Sequence, residues 1–300
     1  MTVAEPVVVA RPASGRARAW RNEPSAAIGL LLLTPALLLL ALFFVVPIVR
    51  IMWIAVAEPT FSLERFADFF ASPAARRSLL TTLRVSAIVT LLATLLGLVI
   101  AWEVRTTRSR WKRAALWSAT LFPLWTSVVV RNYAFTILLQ RKGVVNTALV
   151  SAGIIDEPLG ILYTDTAVIL GMLYTMLPYA ILPIYASLVN VDTTLVGAAE
   201  SLGATRPRAI VGIVLPLIAP SVFAAAAITF VVSVGFYITP ILLGGPDAPF
   251  LATFIDQQLF SLYDFPAAAA TASILFATAV LVVGFAWRIV GFDQLRRALE

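Results

Sequence analysis

Six long apolar runs, separated by short polar stretches, organise the 300 residues. The first, from Ala26 to about Val49, is too long for a signal-peptide core and is followed by no convincing small-residue cleavage site. It predicts a transmembrane helix kinked at Pro35 and Pro47. Further spans are predicted over about 79–103, 114–138 and 165–189, then one ending near Ile238 and one over about 267–290. Between the first two spans, TFSLERFADFF spaces Phe66, Phe69 and Phe70 as a short interfacial helix would. Residues 139–164 read as a loop with a GVVN turn and the acids Asp156 and Glu157. A Gly/Pro-rich loop, LLGGPDAPF, leads into the last span. Its surroundings carry Asp247, Asp256 and Asp264 with no basic residue between Pro240 and Pro266. Residues 1–25, rich in Arg, Ala and Pro without a hydrophobic period, read as a disordered tail. The fold class is therefore all-α and integral to a membrane, with 26–300 as one six-helix domain.

One polar interruption has internal order: Val196 to Pro216, VGAAESLGATRPRAIVGIVLP. Ala198, Ala199 and Leu202 share a helical face by the i, i+3, i+4 rule. Gly203 permits a turn that a β-carbon would obstruct. Arg206-Pro207-Arg208 opens a second short helix, because proline is tolerated in a first turn and no deeper. Two short helices at an angle would lie on the membrane surface and offer one face to a partner. An ordinary amphipathic loop between two spans is the plainer alternative.

The spacing of this stretch resembles the cytoplasmic EAA loop of permease subunits in binding-protein-dependent ABC importers, E-A-A-x3-G-x9-I-x-L-P. Ala198, Ala199, Gly203, Ile213, Leu215 and Pro216 fall on that register, and Gly197 stands where the family has its leading Glu. The resemblance implies a coupling loop over about 193–213 that docks into an ATPase subunit. Gly197, Ala198, Ala199, Glu200, Gly203, Ala204 and Arg206 would be its contact residues, Glu200 offering a carboxylate where the leading acid is missing. Further stretches resemble the spermidine/putrescine subfamily: PLWTSVVVRNYAF (123–135), GVVN (143–146), GIIDEPLGILYT (153–164), LLGGPDAP (242–249) and YDFPAAAA (263–270). The implied cargo is a small cationic solute, a polyamine. Related permeases carry amino-acid-like compounds, phosphonates or iron. The implied partners are a second permease, a dimer of ATP-binding subunits and a periplasmic substrate-binding protein.

Composition agrees with a membrane protein: 60% of residues are hydrophobic and 13% charged. With no Cys and no His, thiol, disulfide and His-based metal or acid–base chemistry is excluded. No P-loop pattern occurs, so the chain is expected to be no enzyme, to hold no cofactor or metal, and to draw its energy from another subunit. Neither paired intramembrane carboxylates nor inverted repeats are visible, which disfavours a secondary transporter. A membrane scaffold or insertase-like protein would not need Gly203 and Leu215-Pro216 at that spacing. The net charge of +6 points to membrane orientation rather than nucleic acid. Six spans put both termini on one side, where fourteen of the 22 Lys and Arg residues fall. The positive-inside rule makes that side cytoplasmic in a bacterial inner membrane, and the loop at 193–213 lies on it.

Candidate path residues are the aromatics Trp125, Tyr133, Tyr174, Tyr179 and Tyr237, whose rings could stabilise a cation, although interfacial aromatic belts account for some of them. Arg131 reads either as a side chain snorkelling to the outer edge or as a gate or fold element. Arg84 is given no function.

Overall fold

The computed structural model describes residues 26–58, 60–192, 194–245 and 249–299. The tail at 1–25 and Asp247 lie outside them. Contacts divide the chain into two units, 1–50 and 51–300. Helix α1 runs over residues 26–57, with a π turn at Ala41–Val45. There the Val46 N–H reaches back to the Ala41 carbonyl, one residue before Pro47. A proline ring clashes with the carbonyl four residues earlier, and the wider turn relieves that clash.

The second unit contains α2 (Glu64–Ala71), α3 (Pro73–Thr106), α4 (Arg110–Trp125), α5 (Val128–Leu139), α6 (Val144–Ser151) and α7 (Asp165–Asn190). It continues with α8 (Thr194–Ser201), α9 (Arg206–Val234), α10 (Ile238–Leu243), α11 (Leu251–Asp256, extended by a π turn Gln257–Ser261) and α12 (Phe265–Leu299). No strand occurs among the described residues.

Helices α3, α7 and α9 form the centre, α3 against α7 being the most extensive contact. Both bury a row at every fourth residue: Val85, Val89, Ala93, Gly97 and Ala101 on α3, and Val168, Met172, Met176, Ala180, Ile184 and Leu188 on α7. Such i±4 ridges interdigitate, and small residues bring the backbones close. A β-carbon on Gly97 would lie 3.0 Å from that of Ala180. Ser72 caps the start of α3, accepting from the Ala75 N–H. Arg84, given no role from sequence, pairs with Asp165 in the first turn of α7.

Among the described residues five helices are long and apolar enough to cross a membrane, and a sixth span exists if the bent pair 110–125 plus 128–151 is one. The span expected over 114–138 is thus not straight: its halves meet at 111°. Pro123 lies near the end of α4, Thr126 turns the backbone to an extended conformation, and α5 begins afresh at Val128. Hydropathy stays high through this corner because only Thr126 and Ser127 interrupt it. The region 139–164, expected to be loop, contains helix α6. Buried Asn146 organises it, donating to the carbonyls of Gln140 (3.2 Å) and Leu159 (3.0 Å) and accepting from the Leu159 N–H (2.8 Å).

Candidate functional site

The stretch 191–216 lies at the end of the bundle where α3 and α7 finish and α9 starts. Arg105 Nη2 donates to the Val191 carbonyl at 2.7 Å, satisfying a backbone acceptor just past the end of α7. Asp192 Oδ1 accepts from the Thr194 N–H at 2.9 Å and so opens α8. That backbone bond, followed by a bond with the Thr194 side chain, holds the Asp192 carboxyl below its ordinary range. The contact therefore persists until pH falls below that lowered value.

Helix α8 closes on Gly203, whose φ is +90°. The Ala204 N–H bonds to the Ala199 carbonyl (3.0 Å) and the Gly203 N–H to that of Glu200 (3.0 Å), the reach-back expected when a left-handed residue ends a helix. No heavy atom lies within 4 Å of where a Gly203 β-carbon would sit. The requirement for glycine is thus one of backbone conformation, the positive-φ turn expected from the sequence. A correction concerns Arg206-Pro207-Arg208, which opens α9 itself instead of a separate short helix. The helix passes through a π turn at Ile210–Val214, the Leu215 N–H reaching the Ile210 carbonyl one residue before Pro216. This repeats the device ahead of Pro47.

Exposure sorts the residues of α8. Val196 packs into the bundle and Ala199 is half-buried, while Leu195, Ala198 and Leu202 are exposed, Leu202 at 90%. These three recur at i, i+3, i+7, so they form an apolar outer stripe. Gly197 and Glu200, with Arg105, Asp192 and Arg206, line a groove of about 300 Å³ beneath the helix. Arg105 and Leu195 were missed in the sequence, Arg105 having counted only as part of a basic turn.

The five path aromatics do not converge on one pocket. Tyr174 is half-buried, edge-to-face with Phe135 at 5.8 Å and under the Arg131 guanidinium, also at 5.8 Å. Trp125 (86% exposed), Tyr133 and Tyr179 face outward from the chain. Tyr237, half-buried, donates to Asp256 Oδ1 at 2.8 Å. Thr175, mid-span, satisfies its hydroxyl on the Gly171 carbonyl. Arg131 does not snorkel: it is buried, and its Nη1 donates to the Pro123 carbonyl at 2.8 Å. It spans the corner between α4 and α5. Among the described residues no group of three or more acids is placed to hold a metal ion.

No family model matches the chain. It is 31% identical over 228 residues, 76% of this chain and 79% of the relative, to the spermidine/putrescine transport system permease protein PotB of Salmonella typhimurium (strain SL1344). Against PotB of Escherichia coli (strain K12) the identity is 31% over 210 residues, 70% of this chain and 76% of the relative. Among solved structures, a chain of a bacterial ABC transporter that imports the acidic polysaccharide alginate superposes with a TM-score of 0.73 at 21% identity. The match covers 90% of this chain and 97% of that one, a likeness of fold.

Proposed function

Because the chain belongs to the family of spermidine/putrescine transport permeases, we propose that it is the membrane-spanning subunit of an ABC importer for polyamines. It works with a second permease, two ATP-binding subunits and a periplasmic binding protein. The likeness to polyamine permeases over three quarters of the chain carries this reading. The α8 loop supports it as the mechanical link: a short helix capped at Gly203, with an exposed apolar stripe, suits docking into a cleft of an ATPase. Movement there is passed to α7 and α9, between which α8 is strung, and to α3 through the Arg105 bond to Val191.

The test is ATP hydrolysis by the reconstituted complex with its binding protein. Stimulation by spermidine or putrescine is expected. Stimulation only by an amino acid, phosphonate or iron would reassign the cargo.

The protein is a multi-pass inner-membrane subunit, and its orientation follows from charge: Arg105, Arg108, Arg110, Lys112, Arg113, Arg206 and Arg208 cluster at the α8 end. That end, with both termini, is cytoplasmic, and residues 240–266 are periplasmic. In this Cys-free chain Ser261→Cys, at an exposed position, is expected to react with an impermeant thiol reagent in intact cells. Labelling only after lysis would reverse the orientation.

Aromatics that face outward from one chain can enclose a path only with a second surface, which the partner permease supplies. Tyr179 is the more exposed probe, since Tyr174 is packed between Phe135 and Arg131. A cation–π contact of about 0.5–1 kcal/mol predicts that Tyr179→Ala raises the uptake KM roughly two- to fivefold. Unchanged uptake would remove Tyr179 from the path.

A further inference from the structure

A cavity of about 450 Å³ opens between α2, the start of α3, α11 and the start of α12, at the opposite end of α3 from the α8 loop. Glu64, Asp68 and Asp264 line it, and Arg65 is its one basic lining residue among the described residues. None of these four makes an ion pair among the described residues. Asp264 accepts the Ala267 N–H at 3.0 Å through Oδ1 alone. Glu64 and Asp68 stand one turn apart on α2, where like charges repel. Gln258, on the π turn after Asp256, also lines the cavity. It is nine-tenths buried, and its Oε1 has no hydrogen-bond partner among the described residues. A buried acceptor without a donor is costly, so this amide marks a place for an N–H group.

The arrangement of the acids selects among cations. A divalent metal ion needs its oxygen ligands gathered around one point, within about 2.6 Å. The acids here form no such group. Charges set apart along a wall suit positive groups separated by methylenes, and Phe69 and Phe254 supply apolar surface for the methylene stems. We propose that this cavity is an entry site for a linear alkyl diamine cation, its ammonium groups donating to Glu64, Asp68, Asp264 and Gln258 Oε1. The proposal rests on the polyamine reading above and adds a station on the periplasmic side of the same transport.

The complex with its partner permease and ATPases, in nanodiscs and without binding protein, is titrated with putrescine, with butylamine and with Mg²⁺. Putrescine is expected to bind at least about tenfold more tightly than butylamine, because the second ammonium adds charge-assisted hydrogen bonds. Glu64→Gln with Asp68→Asn should weaken putrescine about tenfold and Gln258→Leu about threefold, with parallel rises in the uptake KM. Asp68→Glu, which keeps the charge beside native Glu64, should keep most of the affinity. Equal affinities for the two amines, tighter Mg²⁺ binding, or indifference to all these substitutions would overturn the site. Polyamine uptake with an unchanged KM in the variants defeats the site and leaves the importer standing. A wild-type complex that imports no polyamine defeats the importer reading itself.

Discussion

Replacing Gly203 by valine is expected to abolish substrate-stimulated ATP hydrolysis while the membrane bundle stays folded. At φ +90° a β-branched residue is strained by about 1–3 kcal/mol. Helix α8 has only eight residues, and its closing bonds from Ala204 to Ala199 and from Gly203 to Glu200 depend on that conformation. The space around the missing β-carbon is empty, so collision cannot be the cause of the loss. Gly203→Asn separates the two explanations, because asparagine adopts the left-handed region readily and should keep most coupling. Glu200→Ala should cause only a mild loss, since Glu200 makes no ion pair among the described residues and an exposed pair is worth about 0–1 kcal/mol. ATPase co-purification and proteoliposome hydrolysis for the three variants decide the matter. Full coupling in Gly203→Val would mean that the α8 loop is not the docking element.

The turn at Gly203 was legible in the sequence because it is local, a matter of a few neighbouring residues. The spans over 79–103 and 165–189 were legible for a related reason: lipid demands long apolar helices, and they appear as Pro73–Thr106 and Asp165–Asn190. The bend in the third span was not legible because hydropathy records composition and not direction. A chain that turns 111° between Trp125 and Val128 stays as apolar as one that runs straight. Helix α6 was hidden because the loop is ordered by Asn146 reaching Leu159, a pairing no local pattern announces. The carboxylate-lined cavity was half visible. The phenylalanines of TFSLERFADFF predicted α2, yet only the fold brings Glu64 and Asp68 beside Asp264 and Gln258.

Arg131→Leu is expected to destabilise the protein and to stop transport together. Arg131 is 7% exposed, its guanidinium bonded to the Pro123 carbonyl and lying over Tyr174. Leucine fills similar space but leaves that carbonyl without this donor at the end of α4, at a cost of about 1–3 kcal/mol. The lost cation–π contact adds about 0.5–2 kcal/mol. Thermal denaturation of the purified chain should move down by roughly 5–10 °C. Arg131→Lys discriminates between the two roles open to this residue. A gate that repels or meters cations needs only the positive charge, so lysine would preserve both stability and transport. A brace across the α4–α5 corner needs a planar group that bonds at one edge while its face lies on an aromatic ring, and lysine cannot do both. Arg131→Lys is therefore expected to lose about half of the stability lost by Arg131→Leu, with uptake falling in step. Wild-type stability and wild-type uptake in Arg131→Lys would make Arg131 a gate and leave the corner to be held by Pro123 and Thr126.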